Sequence, residues 1–386
     1  MKDFEFYNPV KILFGKDQLP KINEYIPEGL KIMLLYGGGS IKKNGVYEGI
    51  KSALKGRDIV EFHGIEPNPT YETCMKAVDL IKKEKIDFLL AAGGGSVIDA
   101  TKFIGAAALY EDGDPWDILA KGSEIKASLP LADILTLPAT GTEMNKNAVI
   151  SRKSTSEKLS FISPHSFPKF SVLLPDAAGT LPKEQVANGI VDAFVHVIEQ
   201  YLTYPVNAPI QDRFAESILK TLIEEGPKVY KDPKNYESMS NLMWSATMAL
   251  NGLISCGVPG DWSVHDIGHE LTAYHNIDHA RTLAIVLPGI WHVLKEEKKE
   301  KLLQYGERVW NITEGTDDER ADEAINKTIE FFESLGIKTR FSDYNIPAET
   351  IDKIVDRFKK RGWLFGTGDR KLVTLGVVRK VLEDRL

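Results

Sequence analysis

Cysteine is scarce in this sequence, whose 386 residues include only Cys74 and Cys256. The two lie far apart and form no C-x-x-C pair, so they exclude a disulfide framework and fit a reducing compartment such as the cytoplasm. An apolar run of about 18 residues, which a membrane-spanning helix needs, is also missing, and no charged-then-apolar signal is present at the start. We therefore expect a cytoplasmic protein without a membrane partner.

Positive charge is in deficit as well. The chain has 48 Lys and Arg against 55 Asp and Glu, and its net charge is −7. This balance argues against nucleic acid as a partner. The length predicts two domains, and a hydrophobic fraction of 43% is ample for two cores.

Histidine is concentrated in one stretch, because four of the eight histidines lie between residues 265 and 279. His265 and His269 are four apart and would share one face of a helix. Asn276 and Asp278 then predict a turn that returns His279 to that helix. Imidazole is the commonest metal ligand and suits zinc, iron, nickel or copper.

A second source of ligands lies upstream, where Asp192 and His196 are also four apart. Their segment is apolar almost all round, which is typical of a buried helix. A buried aspartate must be paired or bound to a metal. An isolated buried histidine is more often a packing residue, but these segments together favour one metal site formed by Asp192, His196, His265 and His279.

The first half of the chain alternates short apolar runs with helical patterns. Residues 4–14 predict an edge strand interrupted by Pro9, which could pair with a second copy of the chain. Residues 31–36 and 86–92 predict buried strands that end at the glycine runs 37–39 and 93–95. Ser96 is expected to cap the following helix. Glycines before a helix N-terminus allow backbone amides to approach a phosphate, although a tight turn alone would also use glycine.

A further strand, 133–138, leads to a loop rich in small hydroxylated residues, and Lys158 could face a phosphate or ribose or simply be solvated. From residue 183 onward the pattern is helix after helix. The expected fold is an α/β dinucleotide-binding domain, 1–182, followed by an all-α metal-binding domain, 183–386. A dinucleotide beside a metal with an open position implies hydride transfer to or from an alcohol or carbonyl carbon. His269 would position the nicotinamide, relay a proton, serve as a further ligand or pack the helix.

The spacing of Gly93-Gly94-Gly95-Ser96, Asp99 and Lys102, together with the two histidine segments, resembles the iron-containing, or group III, alcohol dehydrogenases. Leu137-Pro-Ala-Thr-Gly141 and similar stretches look closest to the branch of butanol dehydrogenases and NADPH-dependent aldehyde reductases. The resemblance implies a dehydroquinate-synthase-like architecture, a homodimer, a short-chain alcohol or aldehyde substrate, and iron or zinc on the four ligands given above. It also implies a set of residues around the cofactor: Gly37, Gly38, Gly39, Ser40, Asn68, Pro69, Gly94, Gly95, Ser96, Asp99, Thr136, Thr142, Asn145 and Lys158.

The first glycine turn bears on cofactor choice. Relatives that look NAD-specific have an aspartate where this chain has Gly39, and such an aspartate would repel a 2′-phosphate. Gly39, Ser40 and the nearby Lys42 and Lys43 favour NADP(H) over NAD(H). A lyase similar to dehydroquinate synthase, which binds NAD and a metal without net redox change, is the alternative. The ligand segments lack the basic cluster that its phosphorylated substrate would need.

Overall fold

The computed structural model describes residues 1–386, except for the side chain of Leu364. The chain forms two compact units. The α/β unit contains Tyr7–Pro182 and Asp232–Thr247, and the helical unit contains Met1–Phe6, Lys183–Lys231 and Met248–Leu386. Whether these units are independent domains that divide at residue 182 stays a prediction.

The strands belong to the α/β unit: β1 (Lys11–Phe14), β2 (Ile32–Tyr36), β3 (Ile59–His63), β4 (Phe88–Gly93), β5 (Leu131–Leu135), β6 (Asn147–Arg152), β7 (Glu157–Ile162) and β8 (Phe170–Leu173). Six of them form a parallel sheet in the order β1-β8-β5-β4-β2-β3, and β6 and β7 form an antiparallel hairpin. The central strands β2, β4 and β5 are buried along their whole length, as parallel strands covered on both faces must be.

The helices run in chain order as follows: α1 (Val46–Ala53), α2 (Tyr71–Glu84), α3 (Gly95–Ala108), α4 (Asp117–Ala120), α5 (Pro175–Ala178), α6 (Lys183–Tyr201), α7 (Pro209–Lys231), α8 (Tyr236–Ala249), α9 (Ser263–His275), α10 (His279–Val293), α11 (Lys295–Trp310), α12 (Asp317–Ser334), α13 (Thr350–Lys360) and α14 (Leu375–Asp384). Among the described residues, no helix combines the length and the apolar character needed to cross a lipid bilayer. The predicted fold class, an α/β N-terminal half and a helical C-terminal half, is confirmed.

The sheet changes its winding direction between β2 and β4. After β2 the chain moves outward to β3, whereas after β4 it moves to β5 on the opposite side. Loops that diverge in this way open a crevice at the carboxyl ends of the strands, where α/β proteins bind nucleotides. The two glycine runs, 37–39 and 93–95, lie at the carboxyl ends of these two strands.

Several local predictions need correction. The predicted strand 4–14 is formed only over β1, since residues before Lys11 do not join the sheet. Ser96 is not a helix cap, because the chain turns so tightly after β4 that Gly94 is the N-cap residue and Gly95 is already helical. The sequence interpretation also missed β7, which includes Lys158.

Candidate active site

Helix α6 contributes the first two predicted metal ligands. Asp192 is 3% exposed and His196 is 5% exposed, and both lie in the buried run of the helix. The Nδ1 atom of His196 lies 4.0 Å from Oδ2 of Asp192, as expected for residues one turn apart. Burial lowers the pKa of His196 to about 4, so the imidazole is neutral at physiological pH. Neutral imidazole is the form that binds a metal ion.

The other two predicted ligands come from α9 and from the first residue of α10. His265 lies in the first turn of α9, and Asn276 ends that helix in the left-handed conformation. The turn through Asp278 then returns His279 to the cluster, as predicted. Asn188 of α6 fixes the position of this turn, because its Nδ2 donates to Asp278 Oδ2 at 2.9 Å.

The four side chains converge. The Nε2 atom of His279 lies 3.7 Å from Oδ1 of Asp192, and one ligand atom from each of Asp192, His265 and His279 lies within 4.8 Å of the others. The ring of His196 stacks on that of His265 with 4.7 Å between centroids. His269 faces the same group, with its ring 5.0 Å from that of His279.

This donor set fits a transition-metal ion. Two ligands at about 2.1 Å from a tetrahedral ion lie about 3.4 Å apart, close to the separation of Asp192 and His279. Within the described part of the chain, the buried Nδ1 atom of His196 has no hydrogen-bond partner. Three imidazoles and one carboxylate suit iron or zinc.

Glu199, also on α6, is a contributor that the sequence interpretation missed. Its carboxylate accepts the backbone N–H groups of Val264 and His265 at 2.7 and 3.3 Å, and so satisfies the first turn of α9. It also contacts Nδ1 of His265. Burial and the neighbouring carboxylate of Asp261 raise the pKa of Glu199 well above its ordinary value, while the two N–H groups oppose that shift. A carboxylate that receives Nδ1–H directs the lone pair of Nε2 toward a metal ion.

We expect Glu199→Gln to weaken metal binding by roughly 10- to 100-fold, because an amide does not fix the tautomer of His265 as a carboxylate does. Equilibrium competition with a chromophoric chelator would measure the affinity for zinc or cobalt. Glu216→Gln is the matched control, since Glu216 is also buried in the helical unit but bonds to Tyr201. A folded Glu199→Gln protein with the metal affinity of the wild type would contradict this role.

The predicted nucleotide residues lie in the α/β unit, several of them at the carboxyl ends of adjacent strands. Residues 37–40 follow β2, residues 94–96 begin α3 after β4, and Thr136 follows β5. Gly39 has φ +94°, a conformation that favours glycine, and a Cβ added there would meet nothing within 4 Å. Gly95 is different, because a Cβ there would lie 2.5 Å from Oγ1 of Thr140. The turn therefore packs directly on the loop that follows β5.

Thr142, Asn145 and Asp99 are tied into one network. Thr142 Oγ1 donates to Asp99 Oδ1 at 2.6 Å, and Asp99 Oδ2 accepts the backbone N–H of Val149 at 3.0 Å. Lys102 Nζ contacts Thr142 and Asn145 through both backbone and side-chain oxygens, at 2.7 to 3.0 Å. Thr142 and Asn145 are 2% and 6% exposed, so their side chains are largely enclosed by protein.

Asn68, Pro69 and Lys158 form a second group. Lys158 Nζ donates to Oδ1 of Asn68 at 2.9 Å, and Asn68 has a left-handed φ of +52°. The carbonyl of Pro69 accepts the backbone N–H of Ser151 at 2.9 Å, which joins this loop to β6. Lys158 is 5% exposed, contrary to the ordinary expectation of a solvated lysine.

Comparison with known proteins gives two family matches. The description "Iron-containing alcohol dehydrogenase" matches residues 9–175, and "Fe-containing alcohol dehydrogenase family, C-terminal" matches residues 186–366. Together they span most of the chain, including every predicted ligand.

Individual relatives agree with this match. The NADPH-dependent aldehyde reductase YqhD of Escherichia coli is 55% identical over 385 residues, which is 99% of each chain. NADH-dependent butanol dehydrogenase A of Clostridium acetobutylicum is 41% identical, covering 91% of this chain and 92% of that protein.

Solved structures show the same similarity. The crystal structure of E. coli YqhD superposes with a TM-score of 0.98 at 54% identity, over 100% of this chain and 99% of that one. An NADH-dependent butanol dehydrogenase A from Thermotoga maritima superposes with a TM-score of 0.95 at 38% identity, with the same coverage.

Proposed function

The chain belongs to the iron-containing alcohol dehydrogenase family, and we propose that it reduces short-chain aldehydes to alcohols with NADPH at a single divalent metal ion. In this reaction, NADPH gives hydride to the carbonyl carbon and a proton joins the oxygen. The convergence of Asp192, His196, His265 and His279 is the observation that carries the proposal, because an iron or zinc ion held there supplies a Lewis acid for the carbonyl oxygen. A lyase without net redox change is not favoured by the relatives, which are named as reductases and dehydrogenases.

The residues of the helical unit have distinct tasks in this proposal. The four ligands hold the ion, Glu199 orients His265, and Asn188 fixes the turn before His279. His269, half-buried beside the ligand rings, relays the proton to the product oxygen. The indole of Trp262 lies 5.5 Å from the ring of His265 and supplies an apolar surface suited to a short alkyl chain.

The residues of the α/β unit bind the dinucleotide. The backbone N–H groups at the start of α3 face the pyrophosphate, as at other helix N-termini that follow a glycine turn. NADPH is favoured over NADH because the space beside Gly39 is open and Lys42 is close to that turn. The Lys42 ammonium lies 5.2 and 4.9 Å from the ring centroids of Tyr36 and Tyr47, which restrict where its charge is placed.

A direct assay separates this function from the lyase alternative. We expect the protein to oxidise NADPH when butanal or methylglyoxal is added, and the signal to vanish after treatment with a strong chelator. When NADPH carries deuterium at the C4 position from which hydride is transferred, one deuterium should appear on the alcohol carbon of the product. NADPH left unconsumed with every aldehyde tested would refute the proposal.

The proposal also covers the oligomeric state of the protein and its location in the cell. We propose a cytoplasmic homodimer that pairs through the N-terminal segment, since β1 is the terminal strand of the sheet and Phe4, Phe6 and Tyr7 are exposed. A sedimentation mass of one chain would refute the dimer, and recovery of the protein outside the cytosolic fraction would refute the location.

A further inference from the structure

Lys102 is the last residue of the glycine-rich motif that begins at Gly93, and it has no role in the proposed reaction. Its side chain is completely buried in α3, where most of the surrounding positions are apolar. A buried ammonium group is costly unless it is fully coordinated. The residue therefore needs a physical explanation.

The ammonium group of Lys102 is enclosed by oxygens from one loop. Among the described residues, its hydrogen-bond partners are the carbonyls of Thr142, Asn145 and Asn147, the hydroxyl of Thr142 and the side-chain oxygen of Asn145, at 2.7 to 3.0 Å. These five oxygens outnumber the three hydrogens of an ammonium group, so their arrangement resembles the oxygen shell around a bound cation. Every partner belongs to the loop 141–147, whose last residue begins β6.

Two buried acids, Asp133 and Glu143, lie near Lys102. Ser171 Oγ donates to Asp133 Oδ2 at 2.8 Å, and Thr247 Oγ1 donates to Glu143 Oε1 at 2.5 Å. Burial raises the pKa of both acids, while these hydrogen bonds and the ammonium group of Lys102 oppose the shift.

Asp99 is the acid most directly joined to Lys102; burial raises its pKa, and the ammonium group of Lys102 opposes that shift. The hydroxyl of Thr142 connects the two, since it accepts from Lys102 at 2.7 Å and donates to Asp99 at 2.6 Å. Burial lowers the pKa of Lys102 to about 8, while Asp99 acts in the opposite direction. The positive charge of Lys102 is thus held at the centre of the loop 141–147.

This loop contacts the predicted phosphate site. Thr140 precedes it, and Thr140 Oγ1 accepts the backbone N–H of Thr142 at 3.3 Å. The side chain of Thr140 lies so close to Gly95 that a Cβ on Gly95 would be 2.5 Å from its Oγ1. A shift of the loop would therefore move Thr140 against the start of α3, where the backbone amides must meet the pyrophosphate.

We propose that Lys102 is a positioning residue of the cofactor site: its ammonium group acts as a built-in cation that shapes the loop 141–147 and, through Thr140, the glycine turn that receives the dinucleotide. The inference rests on the proposed binding of NADPH. Lys102 itself does not touch the cofactor.

The test compares Lys102→Met with the wild type, because methionine fills similar space without charge. We expect the dissociation constant for NADPH, measured by fluorescence titration, to rise about tenfold, since a buried polar network is broken. Affinity for the metal ion, which is held in the other unit, should stay unchanged. Lys301→Met is the matched control, since Lys301 is 5% exposed in the helical unit, where it pairs with Asp212, and it should leave NADPH binding as in the wild type.

Each outcome has one meaning. Equal NADPH affinity in Lys102→Met and wild type overturns the inference, and so does a parallel loss of NADPH and metal affinity, which would indicate general unfolding. If Lys102→Met is not recovered folded, Lys102→Ala purified with propylammonium replaces it: affinity that rises with the amine supports the inference, and affinity independent of the amine overturns it. Wild-type protein that fails to bind NADPH would instead overturn the proposed function.

Discussion

Replacing Asp192 by alanine is expected to lower aldehyde reduction by about 1000-fold or more. Asp192 is the one carboxylate of the ligand set and lies 3.7 Å from His279 and 4.0 Å from His196. Its loss leaves three imidazoles without an anionic ligand to offset the charge of the ion. Lewis-acid catalysis is worth several kcal/mol, and about 4 kcal/mol corresponds to this factor. Steady-state rates with NADPH and butanal, together with metal content per chain, would measure the effect.

The loss of metal binding in Asp192→Ala should also be visible in the thermal stability of the protein. A ligand that binds only the folded state at 100 times its dissociation constant adds about 2.7 kcal/mol. The melting temperature of the wild type should therefore rise with added zinc, whereas that of Asp192→Ala should not. His275→Ala is the control, because His275 lies on α9 but bonds to Thr350 instead of joining the ligand cluster. An Asp192→Ala protein that keeps its metal and its rate would show that the cluster is not the catalytic centre.

Gly39→Asp is expected to reverse the preference between the two nicotinamide cofactors. A carboxylate in this turn would repel the 2′-phosphate of NADPH and accept the free 2′-hydroxyl of NADH. Like charges separated by a few ångströms near a surface lower the relative affinity by roughly 10- to 100-fold after screening. The side chain fits, since a Cβ at Gly39 meets nothing within 4 Å.

The backbone at Gly39 requires a control of its own. Its φ of +94° strains any side chain, so part of the effect on both cofactors comes from conformation. Gly39→Asn carries the same strain without charge. The ratio of kcat/KM for NADPH to that for NADH should fall in Gly39→Asp relative to Gly39→Asn. Equal ratios in the two variants would exclude charge at this position as the basis of cofactor choice.

Features with a local period could be predicted from the sequence. Side chains four apart on a helix must share a face, so the spacing alone pairs Asp192 with His196 on α6 and His265 with His269 on α9. The buried strands β2 and β4 and their glycine turns follow from short apolar runs that end at glycine. The capping box of Thr316 and Glu319 at the start of α12 is a local pattern of the same kind.

Features that depend on distant partners could not be predicted in this way. In the sequence, Glu199 is only a polar residue near the end of an apolar helix. Its role depends on contacts with α9, some 65 residues later. The partners of Lys102 lie 40 to 45 residues further along the chain. Lys158 is buried because it meets Asn68, 90 residues earlier. The identity of a side chain gives its chemistry, but long-range pairing decides which atoms it meets.

The central claim is that one divalent ion, held by Asp192, His196, His265 and His279, is required for hydride transfer from NADPH to an aldehyde. Titration of chelator-stripped protein with ferrous or zinc ion, with NADPH oxidation by butanal followed at each addition, tests this most directly. The account predicts a rate that starts near zero, rises linearly and levels off at one ion per chain. A full rate in protein shown by elemental analysis to contain no divalent metal would contradict it.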